Sequence, residues 1–221
     1  MPTNAAFETT LGSLARPSGL ARLQEHLEAK GEPASLQELV ALQQYVQNEV
    51  ADEAALDNVS LRVTPTYGGG QYFARARRIN VTNPTRLAPL AHEVGHAKSL
   101  ATDLDDPYNQ LQQVSRSILK IQKKNEKYVL PLLMTLPLLT RASSMAGKMR
   151  PVIQKILGGA AIGSLVAGAP VLYEEAQATA NAIDWVPEKT EAIRKLVPSF
   201  LDYVRVAGVP ALAYYVTKRL V

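Results

Sequence analysis

The chain of 221 residues contains no cysteine, which excludes a disulfide framework and any metal site built on thiolates. Histidine is scarce as well, at three residues, so an imidazole-based site has little material to draw on. Charge of one sign is not in large excess. The net charge of +4 gives no case for a nucleic-acid partner. The opening Met1-Pro2-Thr3-Asn4 lacks a basic segment and no apolar run follows it, so no secretory signal is expected. A cytoplasmic or membrane-associated location is the expectation that follows. Internal repeats and low-complexity tracts are also absent, and the length suits one domain with an appendage or two small ones.

What the chain does have is a concentration of histidine. Two of the three fall in His92-Glu93-Val94-Gly95-His96, which reads H-E-x-x-H. On a helix, positions four apart share a face, so His92 and His96 could offer imidazole nitrogens to one metal ion. Glu93 sits beside them, placed to take a proton from a water activated by that metal. The motif lies in an alanine-rich apolar run, with Asn83 as the expected N-cap and Pro84 at the first helical position. A buried His-Glu-His set is costly without a compensating partner, and zinc would supply one. Upstream, Gln71–Val81 reads as one strand introduced by Gly68-Gly69-Gly70. An extended peptide could pair with that strand around Arg77–Val81. Arg75, Arg77 and Arg78 read as a solubilising charge set on an edge strand.

A catalytic zinc takes three protein ligands and keeps one position open. The metzincin continuation needs a glycine and a histidine three and six residues past His96, where this chain has Ser99 and Thr102. That subclass is excluded. An acid about 20 residues downstream, as in thermolysin-like enzymes, is also missing around Arg116. Asp103, Asp105 and Asp106 read as a loop, and Glu126 as part of a solvated charged stretch. The better candidate lies in Glu174-Glu175-Ala176-Gln177-Ala178-Thr179-Ala180-Asn181-Ala182.

With H-E-V-G-H followed, after apolar helices, by Glu175, Ala178, Thr179 and Ala182, the chain resembles the membrane-associated gluzincins, among them the YugP-like neutral zinc metallopeptidases. The resemblance covers roughly Tyr72 to Ile183. It implies that His92, His96 and Glu175 bind Zn2+, that Glu93 is the catalytic base, and that the substrate is a protein or peptide. It also implies that Thr179 is the group that hydrogen-bonds a ligating histidine. Glu174 is the rival third ligand, although it puts Gln177 and Ala178 out of register with the motif. Tyr173, Tyr203 and Arg194 are the candidates for stabilising the tetrahedral intermediate. His26 reads as an exposed helix residue.

The implied fold class is mainly α with a small β-sheet (α+β). Residues 1–58 read as an N-terminal helical region, either a helical pair packed on the catalytic body or an arm that docks elsewhere: one helix over Ser18–Lys30, then a second opened by the capping box Ser35-Leu36-Gln37-Glu38. Leu36, Leu39, Val40, Leu42 and Val46 form the apolar stripe of that second helix. Residues 59–196 would be the peptidase domain, and 197–221 a terminal helix. Within the middle, 128–140 is an uncharged apolar run of 13 residues and 156–173 one of 18. A membrane span needs about 20 residues, so only the second is long enough. The metal ligands must share one side of any membrane, so the two runs form a hairpin or neither crosses. Basic residues flank both runs, and this satisfies no topology cleanly under the positive-inside rule. A helix buried in protein is the competing reading. A second functional reading is a structural or assembly protein, such as a virion or envelope component carrying a zincin-like domain. A membrane surface or the neighbouring proteins of such an assembly would then be its partners.

Overall fold

The computed structural model describes residues 6–50, 54–65, 69–100, 110, 111, 113–125, 127, 135, 146–186 and 189–220. The chain is mainly helical with one four-stranded mixed sheet, as expected for an α+β protein. It divides into two units: one of residues 1–106 and 174–197, the other of 107–173 and 198–221. The N-terminal helices pack on the body that carries the sheet, the first of the two arrangements expected for residues 1–58, and belong to the same unit. The reason is their apolar faces. Leu11, Leu14, Leu23, Leu27 and Leu42 are buried in the same core as Leu61, Ile79 and Leu90.

In the first unit, strand β1 (Phe7–Thr10) leads into α1 (Leu11–Leu14) and α2 (Pro17–Ala29). Proline at the first helical position costs α2 no hydrogen bond. The Ser35 capping box opens α3 (Leu36–Tyr45): Glu38 N–H donates to Ser35 Oγ at 3.2 Å and Ser35 N–H donates to Glu38 Oε2 at 2.8 Å. A π-helical turn, Val46–Val50, continues α3, and α4 (Ala54–Asp57) follows. The expected stripe is only partly interior. Leu39, Leu42 and Val46 are buried, whereas Leu36 and Val40 face solvent. His26 is half-buried with its ring 5.3 Å from that of Phe7, so it is not the exposed residue expected.

The sheet is ordered β1-β2-β4-β3, with β2 (Ser60–Val63), β3 (Gly70–Phe73) and β4 (Arg78–Val81). β2 and β4 are parallel, and the two outer pairings are antiparallel. The single strand expected over Gln71–Val81 is thus two strands. They reverse through a 3-10 turn, Ala74–Ala76, and Arg77, which takes a left-handed φ of 43°. Three charged side chains within four residues favour an exposed reversal over a continuous strand. The reversal also places β4 in the interior of the sheet, with β3 and β1 at its two edges. Leu61, Val63, Ile79 and Val81 supply the buried face. Helix α5 (Leu87–Leu100) packs on β3 and β4. It starts three residues later than Pro84, because Asn83 Oδ1 accepts the Thr85 N–H at 2.9 Å and closes an Asx turn.

The second unit contains α6 (113–125) and the longer parts of α7 (Ala146–Trp185) and α8 (Lys189–Leu220). The expected apolar run 156–173 lies within α7; the run 128–140 lies outside the described residues apart from Thr135. Helices α7 and α8 each contain a segment long and apolar enough to cross a membrane, Pro151–Trp185 and Ala192–Tyr215. Small residues let these helices approach. Ser164 Oγ donates to the Ala207 carbonyl at 2.9 Å, and a Cβ on Gly168 would stand 3.0 Å from that of Ala207.

Candidate metal centre

Helix α5 brings His92 and His96 onto one face, as the i, i+4 spacing requires, with their rings 4.6 Å apart and edge to face. The C-terminal part of α7, which belongs to the same unit, brings Glu175 to them. His92 Nε2 and His96 Nε2 are 3.1 Å apart; Glu175 Oε2 lies 3.3 Å from the first and 3.6 Å from the second. An ion held tetrahedrally at ~2.0–2.1 Å keeps its ligand atoms ~3.3 Å apart, and these separations straddle that figure. The three residues could hold a metal ion.

Charge supports the fit. Glu93, Glu174 and Glu175 are all buried beside the two imidazoles. Three carboxylates out of water with no cation among them would be strongly destabilising. His96 shows what the pocket selects. Burial works against its charge, yet hydrogen bonding to Glu174 and Glu175 outweighs that and pushes its pKa up to about 9. The same negative field that holds a proton on the ring favours a divalent cation.

Two helices must come close for the ligands to converge, and two small residues permit it. A Cβ on Gly95 would lie 2.9 Å from Ala178 Cα. The glycine of H-E-V-G-H and the alanine three past Glu175 are therefore packing partners where α5 meets α7. Gly95→Ala is expected to destabilise the fold by about 1–3 kcal/mol through overpacking. Helix propensity alone would favour alanine by about 1 kcal/mol. A denaturant titration showing a stabilised variant would contradict this contact.

Glu174 is not a third ligand in this arrangement. Its Oε1 accepts from His96 Nδ1 at 2.8 Å, which fixes the ring and leaves Nε2 facing His92 and Glu175. The expected histidine-orienting role of Thr179 is not seen: its hydroxyl is buried and makes no hydrogen bond among the described residues. Adjacent glutamates on a helix point about 100° apart, so one faces the open side of the cluster and the other the back of His96. The doubled acid is plain in the sequence. Which carboxylate takes which place depends on the helix phase.

Glu93 points toward the sheet. The Tyr72 backbone N–H donates to its carboxylate, and a Cβ on Gly70 would come within 2.6 Å of Glu93 Cγ. Only glycine lets β3 approach this closely. Burial raises the Glu93 pKa, against the opposing pull of His96, His92 and the Tyr72 N–H. At the far end of α5, Lys98 Nζ donates to Glu49 Oε2 at 2.7 Å and ties the helix to the π turn. Of the three residues considered for oxyanion stabilisation, Tyr173 and Tyr203 belong to the second unit, and Arg194 is exposed on α8. No family model, curated protein sequence or solved structure matches this chain.

Proposed function

We propose that the chain is a membrane-associated zinc metallopeptidase that hydrolyses peptide bonds. The observation that carries this reading is the convergence of His92, His96 and Glu175 to within 3.1–3.6 Å, with buried Glu93 alongside. These three residues would hold the metal. When bound, zinc supplies a Lewis acid that acidifies water and polarises a carbonyl. Glu93 accepts the proton of the attacking water and delivers it to the leaving amine nitrogen; its raised pKa brings it nearer the working range of a general base. His96 is kept in place by Glu174, so its ligating nitrogen does not turn away. β3 is the strand beside Glu93 that an extended peptide would join through main-chain hydrogen bonds.

The test is metal analysis combined with a peptidase assay on the full chain. One zinc per chain is expected after dialysis, together with cleavage of an unfolded protein substrate that a chelator abolishes and added zinc restores. A chain that takes up no zinc would overturn the reading, as would cleavage indifferent to chelation.

A further inference from the structure

Charge is distributed very unequally between the two units. The second unit, residues 107–173 and 198–221, contains 12 Lys and Arg against Glu126 and Asp202, a net +10. The first contains 12 basic and 18 acidic residues, a net −6, and together they give the +4 of the chain. No acidic residue occurs anywhere between Glu126 and Glu174. The modest total conceals a strongly cationic unit.

That unit is also apolar on its outside. Ile162, Leu165 and Val166 of α7 are 67%, 45% and 68% exposed, and Leu212 of α8 is 55% exposed. Only 28% and 22% of the apolar windows of α7 and α8 are buried. Between the two helices lie small and polar groups, Ser164 on the Ala207 carbonyl, Gly168 on Ala207 and Gly158 on Tyr214, and Leu157, Val171 and Val206 are also buried. These contacts pair early α7 with late α8, so the two helices run antiparallel. Lys148, Arg150 and Lys155 therefore share one end of the pair with Lys218 and Arg219. Helix α6 covers another side, with Leu119 buried against Val171, Val206 and Ala207. It contributes Lys120, Lys123 and Lys124, of which Lys123 pairs with Asp202. A lipid interior does not accept such a row of ammonium groups readily. A headgroup layer does.

We infer that the second unit docks the chain on bilayers rich in anionic lipid. The uncovered apolar face of α7 and α8 enters the acyl region, while the lysines of α6 and the basic helix ends meet the headgroup charges. The 18 uncharged residues of 156–173 supply an apolar length of ~27 Å at 1.5 Å per residue. The inference rests on the membrane part of the reading above and is independent of its metal part.

The test is flotation of the full chain, synthesised without cells in the presence of vesicles. Phosphatidylcholine vesicles are compared with vesicles containing about one third phosphatidylglycerol, at low and high salt. The expected result is at least ten-fold stronger partitioning onto the anionic vesicles, reduced by salt. Replacing Lys120, Lys124, Lys155, Lys218 and Arg219 by Gln should remove that preference, and Ile162→Gln with Val166→Gln should weaken binding to both vesicle types. Circular dichroism of the same variants checks that each retains its helical fold. Equal partitioning onto neutral and anionic vesicles would overturn the anionic selectivity. Absence of binding to either would remove membrane association as well. Tighter binding to duplex DNA than to anionic vesicles would also overturn the inference. Zinc uptake, read on the same preparations, reports on the metal site separately.

Discussion

Glu93→Gln is expected to keep its zinc and to lose about 10²–10⁴-fold in kcat. Glutamine preserves the shape of the side chain and can still accept the Tyr72 N–H, so the contact between β3 and α5 should survive. It cannot take a proton from water. The residue is buried and its pKa is raised, so the native carboxyl carries a desolvation cost that the amide does not. The variant should consequently be no less stable than the native chain. Zinc content by mass spectrometry and turnover of an unfolded substrate decide the matter. A variant that retains full turnover would remove Glu93 from the chemistry; one that loses both zinc and fold would mean the residue is structural.

The second large effect separates the two adjacent glutamates. Glu175→Gln replaces an oxygen that sits among the histidine nitrogens and should cause the larger loss of zinc affinity. Glu174→Gln alters the group behind His96 and should weaken zinc binding by about 10–100-fold, the range expected for a group that orients a ligand. Glu174→Asp, which keeps the charge but shortens the reach, should fall between the native chain and Glu174→Gln. Cobalt substitution provides a readout that stability does not move. The visible spectrum should change its ligand-field bands in Glu175→Gln and keep them in Glu174→Gln. The reverse pattern would make Glu174 the ligand and Glu175 the support.

Thr179 bears on the same comparison. The resemblance to gluzincins implies that this hydroxyl orients a histidine, yet it makes no hydrogen bond among the described residues. Thr179→Val is therefore expected to leave zinc affinity within about two-fold of native, since a buried hydroxyl without a partner contributes nothing that a methyl lacks. Isothermal titration at fixed pH measures this directly. A ten-fold loss would show that the hydroxyl takes up a histidine contact in the metal-loaded chain.

Much of the candidate metal centre is legible in the amino-acid order alone. The spacing of His92 and His96 fixes their shared face, because a helix repeats every 3.6 residues and little can disturb that. The Ser35–Glu38 box and the proline opening α2 are equally local, since each depends on groups within one turn. Gln71–Val81 reads as one strand and is two, because the reversal depends on a single left-handed residue, Arg77, whose side chain does not announce that conformation. The burial of Leu39 but not Leu36 also lies beyond local pattern. Both fit one helical stripe, and only the neighbouring elements decide where that stripe ends.

The amino-acid order sets which residues are available to bind a metal: no cysteine, two histidines one turn apart, and a pair of glutamates 78 or 79 residues beyond His96. It also determines that the basic residues cluster away from the acids. Which glutamate faces the histidines and which supports them is a property of the folded chain, because that choice follows from how α7 is rotated against α5. The rotation is set where Gly95 meets Ala178, a contact between residues 83 positions apart. Local propensity acts over a few residues; the separation and phase of two helices are fixed by side chains that the chain brings together only when it folds.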